Sequence, residues 1–179
     1  QLKDTNLWIY PSYNHDENVK SFIENPNSEL PLVYISFPSA KDNDFINKNL
    51  QYATMEVVSV ANWSDYSKWK DFPWKKRGKE YEELKEKITN SLLSVVYKNV
   101  SGIKKFIDYS ELSTHLSVSN LANYSKGELY GIDHTPNRFG EKWLKPRSDI
   151  KNLFLTGQDI TTVGVTSALF SGLITASAI

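Results

Sequence analysis

The spacing of apolar and polar positions changes several times along the chain, and each change marks an element. Leu7, Trp8, Ile9 and Tyr10 form a short apolar run ended by Pro11, which predicts a first strand. Val19, Phe22 and Ile23 follow at helical spacing behind Asp16, a residue able to cap them, and Pro26 closes that helix. Residues 32–37 (LVYISF) are a strongly apolar second strand, stopped by Pro38. The loop SAKDNDFINKNLQY is long enough to argue for function or local order. Residues 54–61 (TMEVVSVA) alternate imperfectly, so this third strand is expected to be central and covered on both faces.

The clearest helix is 79–98, where Tyr81, Leu84, Ile88, Leu92 and Val95 keep one face and Glu83 can pair with Lys87. Residues 103–108 (IKKFID) suggest a fourth strand, and Ser117 or Ser119 is expected to cap a short helix after it. Residues 127–132 (GELYGI) are another brief apolar segment. Near the end, 153–155 (LFL) predict a short buried strand, and Thr161 or Thr162 can cap a final helix. Gly164, Ala168, Gly172 and Ala176 then recur at every fourth position, lining one helical face with very small residues. Helices and strands are interleaved irregularly, which gives an α+β, mixed class.

Composition narrows this picture more than it changes it. At 179 residues, 40% apolar and 23% charged, the chain is an ordinary globular protein of one domain or most of one. Its formal net charge of +0 provides no field for nucleic acid, and only Lys75, Lys76 and Arg77 form a dense basic patch. Without cysteine there are no disulfides or thiolate metal sites, and His15, His115 and His134 are too far apart for a local zinc motif. No charged residue occurs from Ile160 to Ile179, about the length of a membrane span. Its many hydroxyl and small residues make it only weakly hydrophobic, and a buried helix of a soluble protein is expected there. The chain starts at Gln1 without a methionine and stops at Ile179 without a helix stop signal, so a piece of a longer protein is expected.

Three places could carry chemistry. A strand, a polar turn and a small-faced helix start, as in 152–179, fit a cofactor with an anionic or electron-rich part, and fit close packing of helix on sheet equally well. Trp63, Trp69 and Trp74 could wall a ligand or pin a surface segment to the core. Asp133 and His134, with Arg138 one turn on, could be a catalytic cluster or a turn with satisfied hydrogen bonds.

Several stretches resemble one family in order: FPSAKD at 37–42, TMEVVSVANW at 54–63, KRGKEYEELKEKI at 76–88, IDYSELSTHLS at 107–117, GELYGIDHTPNRF at 127–139 and LFLTGQDITTVGVTSAL at 153–169. Together they resemble the C-terminal part of the retinol saturase family, which stands with the phytoene desaturases and carotenoid isomerases among FAD-dependent oxidoreductases. No G-x-G-x-x-G occurs here, so the resemblance implies that the FAD domain lies N-terminal to this piece. It further implies a substrate-domain sheet with flanking helices over 1–150, and over 151–179 the last strand and helix returning to a Rossmann-like FAD domain.

By the same resemblance Gly157, Gln158 and Asp159 would meet the flavin's ribityl and phosphate end, and Gly164 and Val165 its ring. Tyr130 and His134 would stand on the substrate side, and no catalytic acid or base can be named. The family usually has Pro where His115 stands and Gly where Ser167 stands. The implied activity is reduction of a double bond in a hydrophobic polyene, a retinoid or carotenoid, with FAD as cofactor and NAD(P)H as a candidate electron donor. Desaturation, cis-trans isomerisation, or a binding module without catalysis are the alternatives. The implied setting is cytoplasmic, with room for peripheral membrane contact.

Overall fold

The computed structural model describes residues 4–48 and 51–179. Among these residues the mixed α+β class holds, with six α-helices and one three-stranded antiparallel sheet. The chain divides into two compact units, Gln1–Lys126 and Gly127–Ile179. Asn49 and Leu50, in the long loop after the second strand, lie outside the described residues; α2 (Asn43–Lys48) gives that loop local order.

In the first unit the three predicted apolar runs share a sheet, as β1 (Leu7–Ile9), β2 (Val33–Ser36) and β3 (Glu56–Ser59) in that order. The central strand is β2, not the run at 54–61: β3 pairs on one side only, and its residues alternate between exposed and half-buried. Pairing of Leu7 with Ile35 and of Ile35 with Val57 stacks apolar residues on one face. α3 (Lys79–Asn99) lays Leu92 and Val96 against Val33, Ile35 and Phe37 on that face. Ile35 and Val96 are fully buried, and each such side chain contributes about 1.5–3 kcal/mol of transfer free energy. Val95, expected on the inner face, is only half-buried.

Several local expectations change where a nearer partner wins. The cap of α1 (His15–Glu24) is Asn14, whose side chain accepts the N–H of Glu17 at 3.2 Å; Asp16 falls inside the first turn, where a carboxylate still suits the helix dipole. Phe22 alone of the expected apolar face of α1 is buried. Glu83 reaches back to Lys79 at 3.3 Å rather than forward to Lys87, which donates to Asn27 across the chain. The expected fourth strand at 103–108 is a 3₁₀ turn, Ile103–Phe106, because Gly102 at φ +72° swings the chain back and Ile103 bonds to Val100. The cap of α4 (His115–Ala122) is Thr114, and Ser117 returns the bond to the Thr114 N–H at 3.1 Å as the other half of a capping box.

Tyr66 and Trp69, on 3₁₀ turns of the tryptophan-rich segment, are buried with Tyr81 and Leu116, so these rings pin the segment to the core. Burial, with Asp65 as a second cause, pushes the Tyr66 phenol up to about 12. A cavity of about 1000 Å³ lies within this unit, its walls including Phe45, Tyr52, Met55, Val57, Leu92 and Phe106.

The second unit has a different interior. Its buried side chains among the described residues are polar: Arg138, Ser171 and Thr175. The run at 153–155 forms no full strand; Phe154 makes one bridge to Arg147, and Leu155 donates to Pro146 at 2.8 Å. The final helix, α6 (Val165–Ala178), is capped at Gly164 rather than by Thr161 or Thr162, and Gly164 supplies no side-chain bond. It is not a buried helix. Ser171 and Thr175 face inward, while Val165, Leu169 and Leu173 are 88%, 76% and 64% exposed.

Candidate functional site

The second unit is held together by hydrogen bonds that converge on residues 155–163. α6 docks through hydroxyls: Ser171 Oγ accepts the Gly157 N–H at 2.7 Å, and Thr175 donates to the Leu155 carbonyl at 2.8 Å. Thr161 Oγ1 donates to the Ser167 carbonyl at 3.1 Å, and the Thr162 and Ser167 hydroxyls lie 2.6 Å apart. Ser167, Ser171 and Thr175 thus make one inward stripe, and the small stripe of Gly164, Ala168, Gly172 and Ala176 faces outward beside it. A β-carbon added at Gly164 or Gly172 would meet nothing within 4 Å, so among the described residues nothing packs closely on these glycines.

Arg138 closes the turn from behind. It sits in the short α5 (Pro136–Gly140), started by Thr135 and Pro136, and is 5% exposed. Its Nη2 donates to the carbonyls of Gln158, Asp159 and Thr161 at 2.9, 2.8 and 3.3 Å, and its Nη1 to that of Ile132 at 3.0 Å. Nη1 also lies 2.9 Å from the ring nitrogens of His134. His134 Nε2 accepts the Val163 N–H at 2.8 Å, so the ring anchors the residue just before Gly164. Asp159 Oδ1 accepts the Ile132 N–H at 2.9 Å. Tyr130 and Gly131, at φ +73° and +72°, curl the chain to make that bond possible.

The site residues expected from sequence therefore fall in one neighbourhood. Gly157, Gln158 and Asp159 form the turn, Gly164 and Val165 start α6, and Tyr130 and His134 come from the 130–134 curl. His134 and Asp133 make no catalytic pair; the ring's recorded partners are Val163 and Arg138. Sequence reasoning placed Arg138 beside His134 but missed its carbonyl clamp, and missed Ser171 altogether. The recurrence of Ser167, Ser171 and Thr175 every fourth residue was the signal for the latter.

The start of α6 suits an electron-rich ligand. Gly164 has φ +111° and no side chain, no side-chain cap covers the first turn, and Val165 is exposed. Backbone N–H groups at such an end are short of partners and carry the positive end of the helix dipole. Among the described residues there is no cluster of His, Asp or Glu able to hold a metal ion, and no helix long and apolar enough to cross a membrane.

The whole chain aligns with all-trans-retinol 13,14-reductase of Danio rerio at 34% identity, covering 99% of this chain and 30% of that protein. The chain is similar to a part of all-trans-retinol 13,14-reductases. The Rattus norvegicus protein of that name is 29% identical over 100% of this chain and 30% of its own length. A further Danio rerio relative, named an inactive all-trans-retinol 13,14-reductase, is 25% identical over 99% of this chain. The chain thus spans about 30% of the length of the curated relatives it matches. No family model and no solved structure matches it.

Proposed function

We propose that this chain is the part of an FAD-dependent oxidoreductase that contributes one edge of the flavin site, and that the intact protein reduces a double bond of a retinoid. The observation that carries the reading is the start of α6: an open glycine, uncapped N–H groups and a turn clamped from behind, in a stretch related to the retinol reductases. In that role the backbone of Gly157 to Asp159 binds the ribityl and phosphate end, and Gly164 with Val165 lets the ring approach the backbone. Tyr130 and His134 stand on the substrate side.

When bound, the flavin would supply the hydride chemistry; the protein's share is to bind, orient and exclude water. Leu169, Phe170, Leu173 and Ile174 of α6 are exposed apolar side chains, in keeping with cover by an FAD domain elsewhere in the intact protein. The cavity of the first unit, whose walls are mainly apolar but include Lys105, Asp108 and Glu111, is in keeping with an apolar ligand that carries a polar end. NAD(P)H is the proposed electron donor. Identity is higher to the zebrafish reductase than to the inactive relative, which favours a catalytic reading over a binding module.

The test uses the full-length protein purified and desalted, assayed for FAD, then incubated anaerobically with all-trans-retinol and a reductant. A product two mass units heavier, with one conjugated double bond fewer, is expected. A product lighter by two, or of unchanged mass but isomerised, would replace reduction by desaturation or isomerisation, and a protein without flavin would overturn the whole reading.

A further inference from the structure

Arg138 is a buried cation whose recorded acceptors are all neutral. Its guanidinium serves four backbone carbonyls, at Ile132, Gln158, Asp159 and Thr161, and lies against the His134 ring. Nη2 carries two hydrogens for three carbonyls, so the longer contact to Thr161 shares one of them. A peptide unit is planar and trans, so its carbonyl and the following N–H point in opposite directions. Drawing the carbonyls of Gln158, Asp159 and Thr161 toward Arg138 therefore aims the N–H groups of Asp159, Ile160 and Thr162 away from it. Ile160 spends its own on Gly157 at 3.4 Å; those of Asp159 and Thr162 remain on the outer side of the turn.

We propose that Arg138 is a positioning residue for the flavin: its guanidinium holds the N–H edge of the Gln158–Thr162 turn outward, and its charge offsets the Asp159 carboxylate in the same turn, so that this edge can receive an anionic group. The inference rests on the flavin reading above and concerns a residue that does not itself touch the flavin. Lysine cannot replace it, because a single ammonium point cannot reach carbonyls spread over three peptide units and Ile132 at once. Outward N–H groups backed by a buried positive charge resemble the anion-binding concavities formed by successive backbone amides. Thr162 stands two residues before the ring-facing Gly164, so its outward N–H and the charge behind it favour the reduced flavin, whose added negative charge is on the ring, over the oxidised one. A clamp that serves only folding would make no such distinction.

The experiment measures flavin content, the thermal midpoint of the apo form and the reduction potential of bound flavin in the full-length protein. Arg138→Gln, which removes the charge, is expected to weaken flavin retention at least tenfold and to shift the potential of the remaining flavin to more negative values. Arg138→Lys, which keeps the charge and most of the volume but leaves some of these carbonyls without a donor, is expected to weaken retention, to lower the apo midpoint less than Arg138→Gln does, and to give a potential closer to wild type than that of Arg138→Gln. Full flavin content with wild-type potential in Arg138→Lys, whatever the apo midpoint, would overturn the proposal even if Arg138→Gln does not fold. A wild-type protein that carries no flavin would instead overturn the flavin reading, and this inference with it.

Discussion

Gly131 and Asp159 fit only because one of them has no side chain: a β-carbon at Gly131 would stand 2.0 Å from Asp159 Oδ1. The same carboxylate oxygen accepts the Ile132 N–H at 2.9 Å, so the contact ties the 130–134 curl to the turn before α6. Gly131 also has φ +72°, where an L side chain costs roughly 1–2 kcal/mol. Gly131→Ala is expected to destabilise the protein by about 2–4 kcal/mol, strain and clash together. In a double-mutant cycle by urea unfolding, Asp159→Ala should recover part of that loss; strictly additive effects would show that the two residues do not meet.

Ile35 pairs with both Leu7 and Val57 and is 0% exposed, at the centre of the sheet. Ile35→Ala is expected to cost about 2–5 kcal/mol in chemical denaturation, the transfer free energy plus the cavity left behind. A change below about half a kcal/mol would put Ile35 on a solvent face.

Gly164 adopts φ +111° and ψ 164°, a region kept almost entirely by glycine. Gly164→Val finds open space around its side chain, so its cost to folding comes from the backbone alone, about 1–3 kcal/mol. Near-complete flavin loss from the full-length protein should accompany only a modest drop in apo midpoint. Full FAD content in the folded fraction would refute a flavin role for this glycine.

Tyr66 sets an alkaline limit. Its folded pKa, about 12, lies above the ordinary tyrosine value of 10.0, so the folded state favours the protonated phenol. The corresponding stabilisation, about 2–3 kcal/mol at most, is fully present below pH 10 and is lost as pH rises through 12. Thermal midpoints taken between pH 9 and 12 should fall less steeply for Tyr66→Phe than for the wild type. Parallel curves would mean that Tyr66 ionises as freely in the folded chain as in the unfolded one.

The amino-acid sequence by itself determined the three strands of the sheet and the long helix α3, because runs such as LVYISF and the spacing of Tyr81, Ile88 and Leu92 carry their burial in the local pattern. It also determined the relationship to the retinol reductases and the turn on which the candidate site is built. Tertiary structure alone decided what depends on distant partners. The run at 54–61 became an edge strand because, among the described residues, nothing pairs beyond it, and IKKFID became a turn because Gly102 redirects the chain. In α6 two stripes of period four lie side by side, and sequence could not say which faces in. The hydroxyl stripe does, since residues 155–157 offer a carbonyl and an N–H that Thr175 and Ser171 satisfy. Arg138 belongs to the same class: four of its acceptors are backbone carbonyls, which leave no trace in residue identity and exist only once the turn has folded around the guanidinium.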